Sequence, residues 1–124
     1  MNLLLDTHAI LWWLGGQQLS REATELIEDG ANVAVVSAAS VWEVAIKRGL
    51  GKLKAPTGFA EAAVRGGFEP LAISHEHAEL AGALPPHHRD PFDRMLVAQA
   101  RVEALTIVSR DAVFERYGVA VIGC

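Results

Sequence analysis

Strand-like and helix-like runs alternate along the entire chain, and that alternation predicts an α/β fold: a three-layer α/β/α sandwich with a central parallel sheet. Short apolar, β-branched runs such as Val33-Ala34-Val35-Val36 and Thr106-Ile107-Val108 supply the strands, and Gly or Pro punctuation separates them from longer segments with helical periodicity. No repeat, linker or low-complexity stretch breaks the pattern. With 124 residues, 51% of them hydrophobic, residues 1–124 read as one domain able to bury a core without staples.

The elements follow in order. A first strand at about 2–6 leads into a helix through Trp12 and Trp13 that stops at Gly15-Gly16. Ser20 caps a second helix running to about Asp29, with Gly30 behind it. The run 33–37 is the next strand, followed by a long helix through Trp42 and Ile46 that Gly49 and Gly51 end. A short helix near 57–65, the Gly66-Gly67 break and a strand from Phe68 to Ile73 come next. His75 to Leu84 reads as a helix, Pro85-Pro86 as its stop, and 91–104 as a helix with Met95, Leu96, Ala98 and Val102 on neighbouring faces. Strands at 105–109 and 119–122 bracket a short helix at 112–117.

Cys124 is the single cysteine, which excludes an intrachain disulfide and fits a reducing compartment. The apolar stretch from Leu3 to Leu14 lacks a basic leader and is interrupted by Asp6 and His8, so it reads as strand and helix rather than signal peptide. No apolar run approaches the ~20 residues that span a bilayer, and the expectation is a cytoplasmic protein.

Four acids stand at strand-to-helix junctions or one turn beyond: Asp6, Glu43, Asp93 and Asp111. In an open α/β sheet that edge is where ligands bind. Each also fits a local role. Asp6 can cap a helix at Thr7, Asp111 one at Ala112, Ser40 with Glu43 matches a capping box, and Asp90-Pro91-Phe92-Asp93 matches cap, N1 proline and N3 acid. A cap contributes only about 1 kcal/mol. Two like charges ~4 Å apart repel by roughly 4 kcal/mol at an effective dielectric of ~20, so converging acids require a cation.

Hard carboxylate oxygens, with no HExxH pair and no cysteine nearby, suit Mg²⁺ or Mn²⁺ better than zinc. Such a site supports in-line attack on a phosphodiester without a covalent protein intermediate. Neither a G-x-S-x-G elbow nor a G-x-x-x-x-G-K-[ST] loop competes with it. His87-His88 beside Asp90 reads as solvent-exposed or RNA-facing, and His8 as packing or locally hydrogen-bonded. The formal charge of −4 at first opposes nucleic-acid binding. Of fifteen acids, however, five (Asp6, Glu43, Asp90, Asp93 and Asp111) belong to the proposed site, leaving ten against eleven Lys and Arg. Lys47, Arg48, Arg89, Arg94 and Arg110 flank those acids as candidate contacts to an RNA backbone.

Across its whole length the chain resembles a PIN domain and, within that family, the VapC-type ribonuclease toxins of toxin–antitoxin systems. The resemblance rests on Leu3-Leu4-Leu5-Asp6-Thr7, on Ser37-Ala38-Ala39-Ser40-Val41-Trp42-Glu43 with Lys47-Arg48-Gly49, on Arg89 to Ala100, and on Ile107-Val108-Ser109-Arg110-Asp111. It implies a Mg²⁺-dependent endoribonuclease, with Mn²⁺ able to substitute, whose catalytic, metal-binding acids fall on Asp6, Glu43, Asp93 and Asp111. It places Asp90, Ser109 and Thr7 around them. Asp90 and Asp93 lie three apart at one helix start, and Asp93 is taken as ligand with Asp90 as cap and outer member.

The resemblance further implies a small antitoxin whose C-terminal segment wraps the toxin, and a homodimer. Trp12, Trp13 and Trp42 lie near the site elements, with at least two of them expected in the core. Rival readings are a receiver-like signalling module, a partner-binding module without nuclease activity, and a PIN nuclease of RNA maturation. The receiver reading wants a late lysine, and no lysine follows Lys54.

Overall fold

The computed structural model describes residues 1–55 and 57–124. Five strands, β1 (Asn2–Leu5), β2 (Val33–Ser37), β3 (Glu69–Leu71), β4 (Thr106–Ser109) and β5 (Val121–Gly123), form one sheet in the order β3-β2-β1-β4-β5. Every neighbouring pair is parallel. The helices are α1 (Thr7–Leu14), α2 (Arg21–Glu28), α3 (Ala38–Gly49), α4 (Phe59–Arg65), α5 (His75–Ala83) and α6 (Pro91–Glu103), with a 3-10 helix at Ala112–Tyr117. The α/β/α sandwich with a central parallel sheet is therefore the observed architecture.

Strand alternation sorts the core into two layers, because successive side chains leave a strand on opposite faces. Leu3 and Leu5 of β1, Val36 of β2 and Val108 of β4 pack with Ala9, Ile10, Ala23, Phe59 and Ala63 on one face. Leu4, Val35 and Ile107 pack with Leu96, Val97, Ala100, Leu84 and Phe114 on the other. Both faces of the central strand are thus covered, which explains why β1 is apolar at consecutive positions instead of at alternate ones.

Several boundaries tighten relative to the sequence reading, for local reasons. Strand β3 keeps only Glu69–Leu71 of the expected 68–73. It is an edge strand with one partner, and Pro70 has no N–H to give, a residue that sheets tolerate only at such an edge. Helix α6 stops at Glu103 because Ala104 turns into the left-handed region with φ 55°. The final strand runs 121–123 rather than 119–122, and the short helix before it is 3-10 in form.

Sheet order matters for function. The chain moves outward from β1 to β2 and β3, then returns to the other side of β1 for β4 and β5. The order reverses between β1 and β4, and the carboxyl ends flanking that point form the crevice where open α/β sheets bind ligands. Asp6 immediately follows β1 there, and Ser109 closes β4 beside it.

Candidate active site

Asp6 is only 8% exposed. It caps α1, its Oδ1 accepting the N–H of Ala9 over 2.9 Å, while its Oδ2 accepts the hydroxyl of Ser109 over 2.5 Å. Burial pushes the Asp6 carboxyl above the ordinary value, the charge of Glu43 pushes the same way, and the bonds from Ser109 and Ala9 oppose both. One Asp6 oxygen thus caps α1 while the other is held by Ser109, and the carboxyl also feels the charge of Glu43.

Glu43 reaches the same place from α3, where it is 4% exposed. Its Oε1 lies 2.6 Å from Thr7 Oγ1, and Lys47 Nζ donates to its Oε2 over 2.5 Å. The Thr7 hydroxyl has one proton, and the carboxylate, which can only accept, takes it. Ser40 Oγ lies 2.9 Å from the same Thr7 oxygen. The expected Ser40–Glu43 capping box is not formed: α3 is capped by Ser37, whose hydroxyl accepts from Ala39 N–H. Ser40 and Glu43 instead sit past the cap, one turn inside the helix, and both face Thr7.

Asp93 enters from the first turn of α6, which Asp90 caps by accepting the N–H groups of Phe92 and Asp93 over 2.9 and 3.2 Å. The expected cap, N1 proline and N3 acid are all present. Burial pushes the Asp93 carboxyl up to about 6, Asp90 and Glu43 add to the rise, and the bond to His88 counters it. His88 Nε2 lies 2.8 Å from Asp93 Oδ2. His88, Asp90 and Asp93 each present a ligand atom, all within 4.8 Å of one another. The reading of His88 as solvent- or RNA-facing is corrected accordingly, since the loop after Pro86 folds it against α6 half-buried. Its neighbour His87 stays exposed, edge-on to Tyr117 at 5.1 Å. The signal for His88 in sequence is only its nearness to Asp90 and Asp93.

Asp111 is placed at the rim. It is exposed and caps the 3-10 helix through Oδ1, which accepts Val113 N–H over 2.9 Å. Its backbone N–H donates to Ser109 Oγ over 2.9 Å, so one serine hydroxyl joins Asp6 to the Asp111 backbone. Asp6, Glu43 and Asp93 form the electrostatically linked group, with Asp90 beside Asp93 and Asp111 joined through Ser109.

The basic candidates separate. Arg48, Arg89 and Arg110 are exposed, and the Arg110 guanidinium lies 3.9 Å over the Trp12 ring. Arg94 is withdrawn as an RNA contact, because its guanidinium donates to the carbonyls of Ala81, Leu84, Pro85 and His88. Lys47 faces inward to Glu43 and not outward. His8 is exposed and lies 5.8 Å from Trp12, packing on the surface. Trp12 and Trp13 are half-buried against the core, whereas Trp42 is 59% exposed. Burial pushes the Cys124 thiol up, away from the thiolate that a nucleophile needs.

The PIN domain family model matches residues 3–120. No curated protein matches the chain in sequence. Among solved structures, the chain is similar to a protein in the VapBC2 complex from Rickettsia felis bound to a promoter DNA fragment, with a TM-score of 0.74 at 17% identity, covering 100% of this chain and 99% of that one. It is similar to one in DNA-bound VapBC from Salmonella typhimurium, with a TM-score of 0.72 at 19% identity over 99% and 98% of the two chains. A toxin-antitoxin complex from Klebsiella pneumoniae gives a TM-score of 0.66 at 21% identity over 97% and 95%. At such identities these likenesses show a shared fold.

Proposed function

We propose, from the premise that this chain belongs to the PIN domain family, that it is a Mg²⁺-dependent endoribonuclease and the toxin of a toxin–antitoxin pair. One observation carries the reading: acids far apart in the chain meet at one edge of the sheet, Glu43 of α3 bonding Thr7 beside Asp6 and holding Lys47, whose ammonium also lies in the field of Asp90 and Asp93 at the start of α6. Lys47 is the one Lys or Arg bonded to these acids among the described residues, and an all-oxygen donor set with one adjacent imidazole fits Mg²⁺ or Mn²⁺.

Asp6, Glu43, Asp93 and, from the rim, Asp111 would hold the ion directly or through water, with Asp90 as an outer member. When bound, the ion supplies polarisation of a phosphate oxygen and a more acidic water. The chain's own part is positional. Ser109 orients Asp6, Thr7 orients Glu43, and His88 orients Asp93. Arg48, Arg89 and Arg110, all exposed, would be the contacts to an RNA backbone.

An antitoxin partner is part of this reading, supported by the complexes in which the similar structures were solved. Exposed Trp42 and Val64 border an apolar groove of about 530 Å³ between α3, α4 and β3, a surface suited to a partner helix. A homodimer and a cytoplasmic location belong to the same proposal. Among the described residues no helix is long and apolar enough to cross a membrane.

Asp6→Asn tests the enzyme reading. Asn keeps the oxygen that caps α1 and removes a buried charge, so thermal unfolding is expected to hold or rise slightly while RNA cleavage is abolished. Cleavage at the wild-type rate would remove Asp6 from the site.

A further inference from the structure

We propose that Lys47 is a resident counter-cation of the acid cluster, one that a divalent metal displaces from Glu43. The inference rests on the metal-site reading above and goes beyond it by giving the site a second, built-in occupant.

Both oxygens of Glu43 are taken in this structure, Oε1 by Thr7 and Oε2 by Lys47. The two partners differ in kind. Thr7 is buried and fixed at the start of α1, and its hydroxyl orients the carboxylate without neutralising it. Lys47 brings a full charge on a flexible stem, one turn further along α3 in the Glu-to-Lys i,i+4 order that favours pairing. Its ammonium also lies in the field of Asp90 and Asp93, so it serves acids from two helices. With a side chain 34% exposed against 5% for Glu43, Lys47 has room to swing out and Glu43 has not.

A divalent ion held by Glu43 would compete with the ammonium for the carboxylate, and it would carry twice the charge. The released ammonium, at the mouth of the cluster, would then face incoming phosphate. Lys47 in this role keeps the acids together before metal arrives and sets a threshold concentration for metal entry. Two opposite consequences follow from its removal. The metal-free protein loses its only cation bonded to Glu43 among the described residues, and the metal loses its competitor.

Lys47→Met, which keeps the stem and deletes the charge, separates the alternatives in the full-length chain. Melting in chelator is expected to fall by several degrees. Mn²⁺ titration calorimetry is expected to show a dissociation constant roughly 10-fold lower than wild type, as befits loss of one nearby positive charge. Were Lys47 a support that holds Glu43 for the metal, affinity would weaken; were it a solvated surface pair, neither quantity would move. Either result overturns the proposal.

A wild-type measurement covers the case in which the variant does not fold. The ¹⁵Nζ cross-peak of Lys47, visible while the ammonium is held in the pair, is expected to broaden away as Mg²⁺ is added. Its persistence at saturating Mg²⁺ overturns the exchange. Failure of the wild type to take up Mn²⁺ or Mg²⁺ at all would instead remove the metal-site reading itself, and this proposal with it.

Discussion

Ser109 and Asp6 lie 103 positions apart, yet the serine hydroxyl donates to Asp6 Oδ2 over 2.5 Å. The bond follows from register: Leu5 is paired with Val108 in the parallel β1–β4 ladder, so the next residue of each strand leaves the sheet at the same edge. Its effect is to oppose the rise that burial imposes on the Asp6 carboxyl.

Ser109→Ala removes that bond and leaves the Asp111 N–H without its acceptor. Mn²⁺ affinity is expected to fall by ~10-fold, the lower end of what loss of an outer partner costs a metal site. Calorimetry on Ala and Thr variants checks this, since Thr restores the hydroxyl and should recover most of the loss.

Asp93 predicts an acid-side pH dependence of two opposite signs. Its carboxyl is raised from 3.8 to about 6 in the folded chain, so between those values the folded state binds a proton that the unfolded state has released. Metal-free stability is therefore present below this window and is lost as pH rises through it. Metal binding needs the ionised carboxylate, so Mn²⁺ affinity moves the other way and weakens as pH falls below about 6. Melting in chelator against pH, with Asp93→Asn as the control that flattens the slope, checks the sign.

Arg94 holds the 85–90 loop to the end of α5 through four carbonyls, those of Ala81 and Leu84 over 2.9 Å, Pro85 over 3.0 Å and His88 over 3.2 Å. Arg94→Met is expected to cost about 2–4 kcal/mol in denaturant unfolding, since carbonyls at the end of α5 and in the loop after it lose a shared charged donor. Arg94→Lys should recover little of it, because one ammonium cannot reproduce the planar fork.

Ala104 adopts φ 55° at the end of α6, a conformation that burdens any residue with a Cβ. Ala104→Gly is expected to raise stability by roughly 0.5–1 kcal/mol. An unchanged denaturation midpoint would show that the strain is absorbed elsewhere.

Sequence periodicity located all five strands and the helices between them, because burial on both faces writes a continuous apolar run and helix ends carry Gly, Pro and capping residues. Edges were less legible. The shortness of β3 depends on its having one neighbour, and pairing is not a local property. Polar side chains that act over distance were legible only as types. Gln99 is fully buried and accepts the Ser37 hydroxyl over 2.5 Å, a contact between residues 62 positions apart that no periodicity announces. Arg94 looked like a solvent-facing cation for the same reason.

By itself, the sequence determined the class of the fold, the strand-to-helix junctions and the acidic residues that occupy them, since all three arise from local hydrophobic pattern and helix-end chemistry. Tertiary structure alone decided which acids share a field, that His88 joins Asp93 and that Lys47 turns inward to Glu43. Those outcomes depend on strand order and helix docking, and charges interact through distances that chain position does not encode.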